Sequence, residues 1–316
     1  MQISLMIEGQ SGLNWQLWKE IGPRAEDWGF AGLYTSDHFV PPMPPNYDAL
    51  EMVVAHTYLA ANTQRVHFGP LVSPMTFRDP VILARQAGAL DDLSGGRMIL
   101  GVGAGWMERE HNMFGYALPP KPIRMERFAE GLAVIDLLLR GKQPANFQGK
   151  YFHLRDAEIR PRTGKTRILV GGNGINRTLR LAAQYADVWN GVQLGPARFR
   201  ELANQLDTYM REAGRDPQSI KKTVATFFYY GATPADLERR FAYIRSWSAA
   251  NAAMSLDELT TWLRDERHAV VGNQTQVIEQ IHAYAKAGVQ ELVLQWFTPQ
   301  DQDDLKKFAT DILPKL

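Results

Sequence analysis

RILVGGNGINRTLRLAAQYADVWNG, residues 167–191, decides the fold. RILVGG is too continuously apolar for a strand with one wet face, so it reads as a strand covered on both sides. A glycine turn ends it. NRTLRLAAQY has helical spacing, and ADVWNG is a second short apolar run. Strand, helix, strand in this order is a parallel βαβ unit. The same alternation recurs outward in both directions. ISLMI, FAGLYTS, RVHFGPLVS, RMILGVG, TVATFFYY and QELVLQWF read as further strands. Amphipathic stretches separate them, one of them entered at Asp79-Pro80 with proline in the first turn. Eight such alternations predict a (β/α)8 TIM barrel, α/β in class, as a single domain over residues 1–316. Two segments exceed the repeat and read as insertions: a hairpin in about 142–163, and charged helices in about 232–271 that are expected to cover the barrel mouth.

The totals limit the function. The chain has 316 residues, 45% hydrophobic and 22% charged, with a formal net charge of +1. Near neutrality with interspersed charge argues against nucleic acid or an anionic membrane as partner. With no cysteine, thiolate metal sites, disulfides and cysteine nucleophiles are excluded. No uncharged apolar run approaches membrane-spanning length. MQISLMIEGQ lacks the pattern of a signal peptide, and a cytoplasmic protein is the expectation.

In this fold chemistry gathers at the C-terminal ends of the strands. Those ends carry Glu8, Asp37-His38, Ser73, Gly103 to Gly105, Gly171 to Gly174, Asn190 and Trp296. SDHF places Asp37 and His38 at the mouth after the second strand. The competing view is that His38 caps the strand and bonds a neighbour. GGNGIN, residues 171–176, puts glycines at the start of a helix, where backbone N–H groups meet an anion and Arg177 adds charge. A tight turn needing positive φ explains the same letters. GVGAGW, residues 101–106, is spaced G-x-G-x-G, which is no dinucleotide fingerprint. The seven histidines show no metal-site spacing, so no metal is expected. There is neither a G-x-S-x-G elbow nor a Walker loop. Asp91-Asp92 and Asp303-Asp304 read as helix-surface acids, His111 as a surface or packing residue, and Trp106 as an aromatic at the rim.

Taken in order, SDHF (36–39), FRDPVILARQAGALDDLSGGRMILGVGAGWMERE (77–110), GGNGINRTLRLAAQYADVWNG (171–191) and VVGNQTQVIEQIHAYAKAGVQELVL (270–294) make the chain resemble the bacterial luciferase-like superfamily, particularly its coenzyme F420-dependent oxidoreductase branch. The resemblance implies a deazaflavin in the barrel mouth, with FMN the alternative. Its phosphate would lie at Gly172, Asn173 and Gly174, with Gly171 also in the coenzyme site, and its ring against Pro70, Leu71 and Ser73, where a cis peptide is implied at Pro70–Leu71. Gly103, Gly105, Trp106 and Asn190 would complete the coenzyme site. His38 would serve as general acid/base, and Asp37 would bond the ring or fix the imidazole. Hydride transfer to or from a small organic substrate follows, as does a homodimer.

Two departures argue against a sugar-phosphate dehydrogenase: Trp106 stands where that group has a glutamate, and Pro42 where it has a tryptophan. Glu108 is a possible replacement acid, though its helical position suggests the surface. An FMN-dependent monooxygenase and a flavin- or deazaflavin-binding protein without turnover are the competing readings.

Overall fold

The computed structural model describes residues 1–316. Twelve strands form: β1 (Gln2–Ile7), β2 (Gly32–Thr35), β3 (His67–Pro70), β4 (Ser73–Pro74), β5 (Ile99–Gly103), β6 (Ala145–Gln148), β7 (His153–Ala157), β8 (Arg167–Gly171), β9 (Val188–Val192), β10 (Lys221–Tyr230), β11 (Val270–Gly272) and β12 (Glu291–Trp296). The main sheet is parallel and runs β3-β2-β1-β12-β10-β9-β8-β5-β4. An isolated bridge between Phe68 and Met98 brings β3 beside β5 and nearly closes the ring. This is the TIM barrel expected, with the third strand split into β3 and β4.

Two side-chain layers follow from the two-residue period of each strand. Met6, Tyr34, Ile99, Leu169, Val188, Ala225 and Val293 point into the barrel. Leu5, Leu33, Phe68, Leu100, Val170, Trp189 and Leu292 pack outward against the helices. Local signals set the helix ends. Asp79 accepts from the N–H groups of Val81 and Ile82 at 2.9 and 3.1 Å ahead of Pro80. Asn273 and Gln276 cap helix Gln274–Ala287 reciprocally, and Gly288 stops it at φ 95°. No helix is long and apolar enough to cross a membrane.

Both insertions are present. β6 and β7 form the antiparallel hairpin. Helices Pro234–Arg245 and Leu256–Asp265, joined through the short helix Ala249–Ala253, enclose a separate small core with Phe227, Tyr229 and Val271. β11, which was not anticipated, pairs in parallel with the upper part of β10 and extends it beyond the barrel. The ten residues of β10 thus serve the barrel and the cover in turn.

Two expected surface acids are buried. Asp91 is 1% exposed and accepts from the hydroxyls of Thr163 and Thr166. Asp304 is equally enclosed and pairs with Arg239 and Arg240. Each faces partners distant in sequence, which a helix-surface pattern does not reveal.

The base of the barrel is closed electrostatically. Glu291 is fully buried and accepts from Ser4 and Tyr34, from His67 Nε2 at 2.9 Å and from Lys221 Nζ at 2.5 Å. Burial alone would raise its carboxyl, but His67 and Lys221 outweigh that and pull it from 4.5 to about 2. A carboxyl lowered in the folded state stabilises fully above its unfolded value and loses that contribution as pH falls through the folded one. Between pH 4.5 and about 2 this contribution should fade. Glu291→Gln should cost roughly 3–5 kcal/mol at neutral pH, as for a broken buried pair. Its melting temperature should then fall less than the wild type's on acidification; parallel curves would contradict the assignment.

Candidate active site

The C-terminal ends of the barrel strands surround a cavity of about 740 Å³. Its wall takes residues from every strand end, the segment 36–47 and the helical cover, which contributes Tyr243, Trp247 and Arg267. The expected cover thus lies over the mouth.

His38 lines this cavity. Its Nδ1–H donates to Glu110 Oε1 at 2.9 Å, and the other Glu110 oxygen accepts from the Phe39 N–H at 3.2 Å. With Nδ1 committed, Nε2 is the nitrogen left for a ligand. Burial disfavours the charged ring, but the bond and charge of Glu110, helped by Glu8 and Asp37, raise the pKa above the ordinary 6.5. The acid in this region is therefore Glu110 and not Glu108, which is exposed. MEREH, residues 107–111, contained the signal: in a helix, neighbours in sequence point different ways, and only one of its two glutamates faces inward.

Helix Glu108–Phe114 uses its consecutive side chains in three directions. Arg109 donates to Pro41 O and to Asn46 Oδ1, both at 2.6 Å, pinning the proline-rich segment. Glu110 fixes His38. His111, the packing residue expected, meets Met107 O and Thr76 Oγ1 at 2.7 Å each.

Asp37 does not line the cavity. It accepts from Arg78 Nε and Nη2 at 2.9 and 2.6 Å and from Ser73 Oγ at 2.7 Å. Arg78 Nη2 also lies 3.0 Å from Glu51, so one guanidinium ties both ends of segment 38–50. Asp37 and Ser73 are therefore supports beneath the wall, because the arginine saturates the carboxylate and the carboxylate saturates the hydroxyl.

The cis peptide is Leu71–Val72, one bond later than the resemblance implied. Leu71, Val72 and Pro74 line the cavity, and Pro70 remains in β3. Glycines make the bend fit. A Cβ at Gly103 would lie 2.7 Å from Val72 Cγ2, and one at Gly171 2.9 Å from Val72 Cγ1. Their missing side chains thus accommodate Val72 rather than an anion, though both still border the cavity. Gly105 and Gly172 have φ of +81° and +128° and form turns.

The tail end of the implied coenzyme site also fits. The N–H groups of Asn173 and Gly174 make no backbone hydrogen bond and stand exposed beyond Gly172. Asn173 braces this turn by bonding Val192 N at 2.9 Å and Val192 O at 2.8 Å. Arg177 points elsewhere, to Pro122 O. Asn190 lines the cavity with its Oδ1 unpaired. Trp106 is 61% exposed at the rim, its ring 5.7 Å from the His38 ring and nearly perpendicular to it. Trp296 turns away under Arg240, while its neighbours Gln295 and Phe297 enter the wall.

The family model described as luciferase-like monooxygenase matches residues 4–291. An F420-dependent glucose-6-phosphate dehydrogenase of Intrasporangium calvum is 28% identical, covering 93% of this chain and 92% of its own. A 5,10-methylenetetrahydromethanopterin reductase of Archaeoglobus fulgidus is 26% identical over 92% and 93%. Among solved structures, an F420-dependent secondary alcohol dehydrogenase in complex with an F420-acetone adduct superposes with a TM-score of 0.84 at 20% identity, over 99% of this chain and 98% of that one.

Glu110→Gln should lower the His38 pKa, because an amide neither carries the charge nor accepts through its nitrogen. Proton NMR titration of the imidazole resonances checks this, and an unchanged midpoint would refute the role given to Glu110.

Proposed function

Because the chain belongs to the luciferase-like monooxygenase family, we propose that it is an F420-dependent oxidoreductase that moves hydride between the deazaflavin and a small organic substrate. The observation that carries this reading is the His38–Glu110 pair, with Nε2 left free in a cavity whose adjoining wall, after the neighbouring strand β3, is the Leu71–Val72 bend. Relatives and neighbours named for F420 support the coenzyme. When bound, the deazaflavin supplies a hydride donor or acceptor carbon that reacts poorly with oxygen.

The chain's own residues supply the rest. The bend and Pro74 offer a ring-sized apolar face, with Gly103 to Gly105 beside it. Asn173 and Gly174 N–H groups receive the phosphate. His38 holds the mobile proton at Nε2: as imidazolium it donates to a carbonyl oxygen being reduced, and as imidazole it accepts from an alcohol being oxidised. Glu110 keeps the ring oriented and favours its charged form. The cover and the pinned segment 38–50 exclude water from the hydride path.

The substrate is not expected to be a sugar phosphate. Trp106 and Pro42 line the cavity, and its wall holds no lysine and a single arginine, Arg267.

His38→Ala should retain F420 affinity within a few-fold while turnover falls by roughly 10²- to 10⁴-fold. Lost binding would refute the proton-transfer role. Oxidation should quicken as pH rises through the raised His38 pKa and reduction should slow, with Glu110→Gln moving both midpoints down. Titration with F420 and FMN in parallel decides the coenzyme; FMN alone binding would turn the reading to oxygen chemistry.

A further inference from the structure

Across the cavity from the implied coenzyme site lies a polar group that the hydride step does not use. Glu8 follows β1, and Gln295 lies on β12. Going round the barrel, β12 stands opposite β5, and β1 opposite β8. Glu8 and Gln295 therefore face the two glycine turns from the far side of the mouth, and both line the cavity.

Their hydrogen bonds run in one direction. The Gly9 N–H donates to Ser36 Oγ at 3.0 Å, and the Ser36 hydroxyl donates to Gln10 Oε1. Gln10 Nε2 then donates to Glu8 Oε2 at 2.7 Å, and Gln295 Nε2 to Glu8 Oε1 at 2.8 Å. A carboxylate only accepts, so it holds both amides by their NH2 ends. Gln295 cannot turn over without setting its oxygen against the carboxylate. Its Oε1 is buried and has no partner, although the residue is only 9% exposed. Buried acceptors are normally satisfied, and leaving one empty costs stability. Nothing in the protein supplies the missing donor.

Apolar side chains line the same part of the cavity, beginning with Phe227, which stands beside Gln295 in the sheet register. Phe227 lies 5.1 Å from Phe297 and 5.9 Å from Trp247, ring to ring, and Tyr243 stacks on Phe297 at 5.3 Å. All four rings line the cavity. A ring-sized apolar body would fill that wall.

We propose that Gln295, oriented by Glu8, is a specificity-determining acceptor that selects an apolar, ring-sized substrate carrying a neutral hydrogen-bond donor, an alcohol, phenol or N–H group. The inference rests on the proposed coenzyme position, since that leaves the β1 and β12 side for substrate. Alternative occupancy by a donor on the coenzyme itself is an outcome of the test.

The test uses phenol and anisole, which differ by the donor hydrogen and a methyl group. Isothermal titration calorimetry on F420-loaded and coenzyme-free protein gives their affinities. Phenol should bind at least about tenfold more tightly than anisole, as befits one satisfied buried acceptor. The ratio should fall towards one in Gln295→Met, which removes the acceptor, and in Glu8→Gln, which lets the Gln295 amide turn over. F420 affinity should stay within a few-fold in both variants. Equal affinities in the wild-type protein, or no binding of either probe, would overturn the inference without any variant. So would an unchanged ratio with a large loss of F420 affinity, which would give the acceptor to the coenzyme. Should F420 not bind while phenol is still preferred, the coenzyme reading falls and the acceptor assignment stands.

Discussion

Glu110 is a carboxylate 1% exposed, and a buried charge must be answered by donors. Both donors come from the end of β2: the His38 imidazole and the Phe39 N–H. That requirement joins the loop after β5 to the loop after β2 and sets which imidazole nitrogen is free. The short helix bearing Glu110 is held in turn by His111 against Thr76 and by Arg109 against the segment 41–46. Three consecutive side chains thus fix His38, the turn at Thr76 and the proline-rich wall. A loose carboxylate here would free all three.

The shape of the cavity has a different origin. The sheet nearly closes where β3 approaches β5, and there Gly69 and Gly101 leave no room for side chains: added Cβ atoms would lie 1.8 Å from Ile99 O and 2.0 Å from Pro70 O. Just above, Val72 fills the notch left by Gly103 and Gly171. Backbone contact this close pushes the Leu71–Val72 bend inward and gives the mouth one flat apolar side. The opposite side, at Glu8 and Gln295, is polar. In the proposed reading, a planar coenzyme and a donor-bearing substrate would divide such a cavity between them without competing for the same partners.

The two ends of the barrel handle charge in opposite ways. At the base, Glu291 is saturated by hydroxyls, His67 and Lys221, leaving nothing for a ligand. At the mouth, pairing is incomplete: His38 keeps one nitrogen, and Gln295 and Asn190 each keep an unpaired oxygen. Saturation at the base stabilises the fold. Unsatisfied groups at the mouth cost stability and are retained where something is to be bound.

Order and periodicity along the chain were enough to determine the barrel, its two insertions and the strand ends where chemistry gathers. Those features follow from local alternation of apolar runs, helical spacing and glycine turns, all of which a linear sequence displays. His38 was legible for the same reason, standing directly after a strand. Its partner was not. Two glutamates lie two residues apart in MEREH, and only the helix's rotation against β2 decides that Glu110 faces inward while Glu108 meets solvent. Asp37 looked as available as His38 until Arg78, 41 residues away, came to rest against it. Gly171 looked like part of an anion turn until Val72 was seen to need its space. Which polar atom is spent and which stays free depends on contacts between distant segments, and only the folded chain makes them.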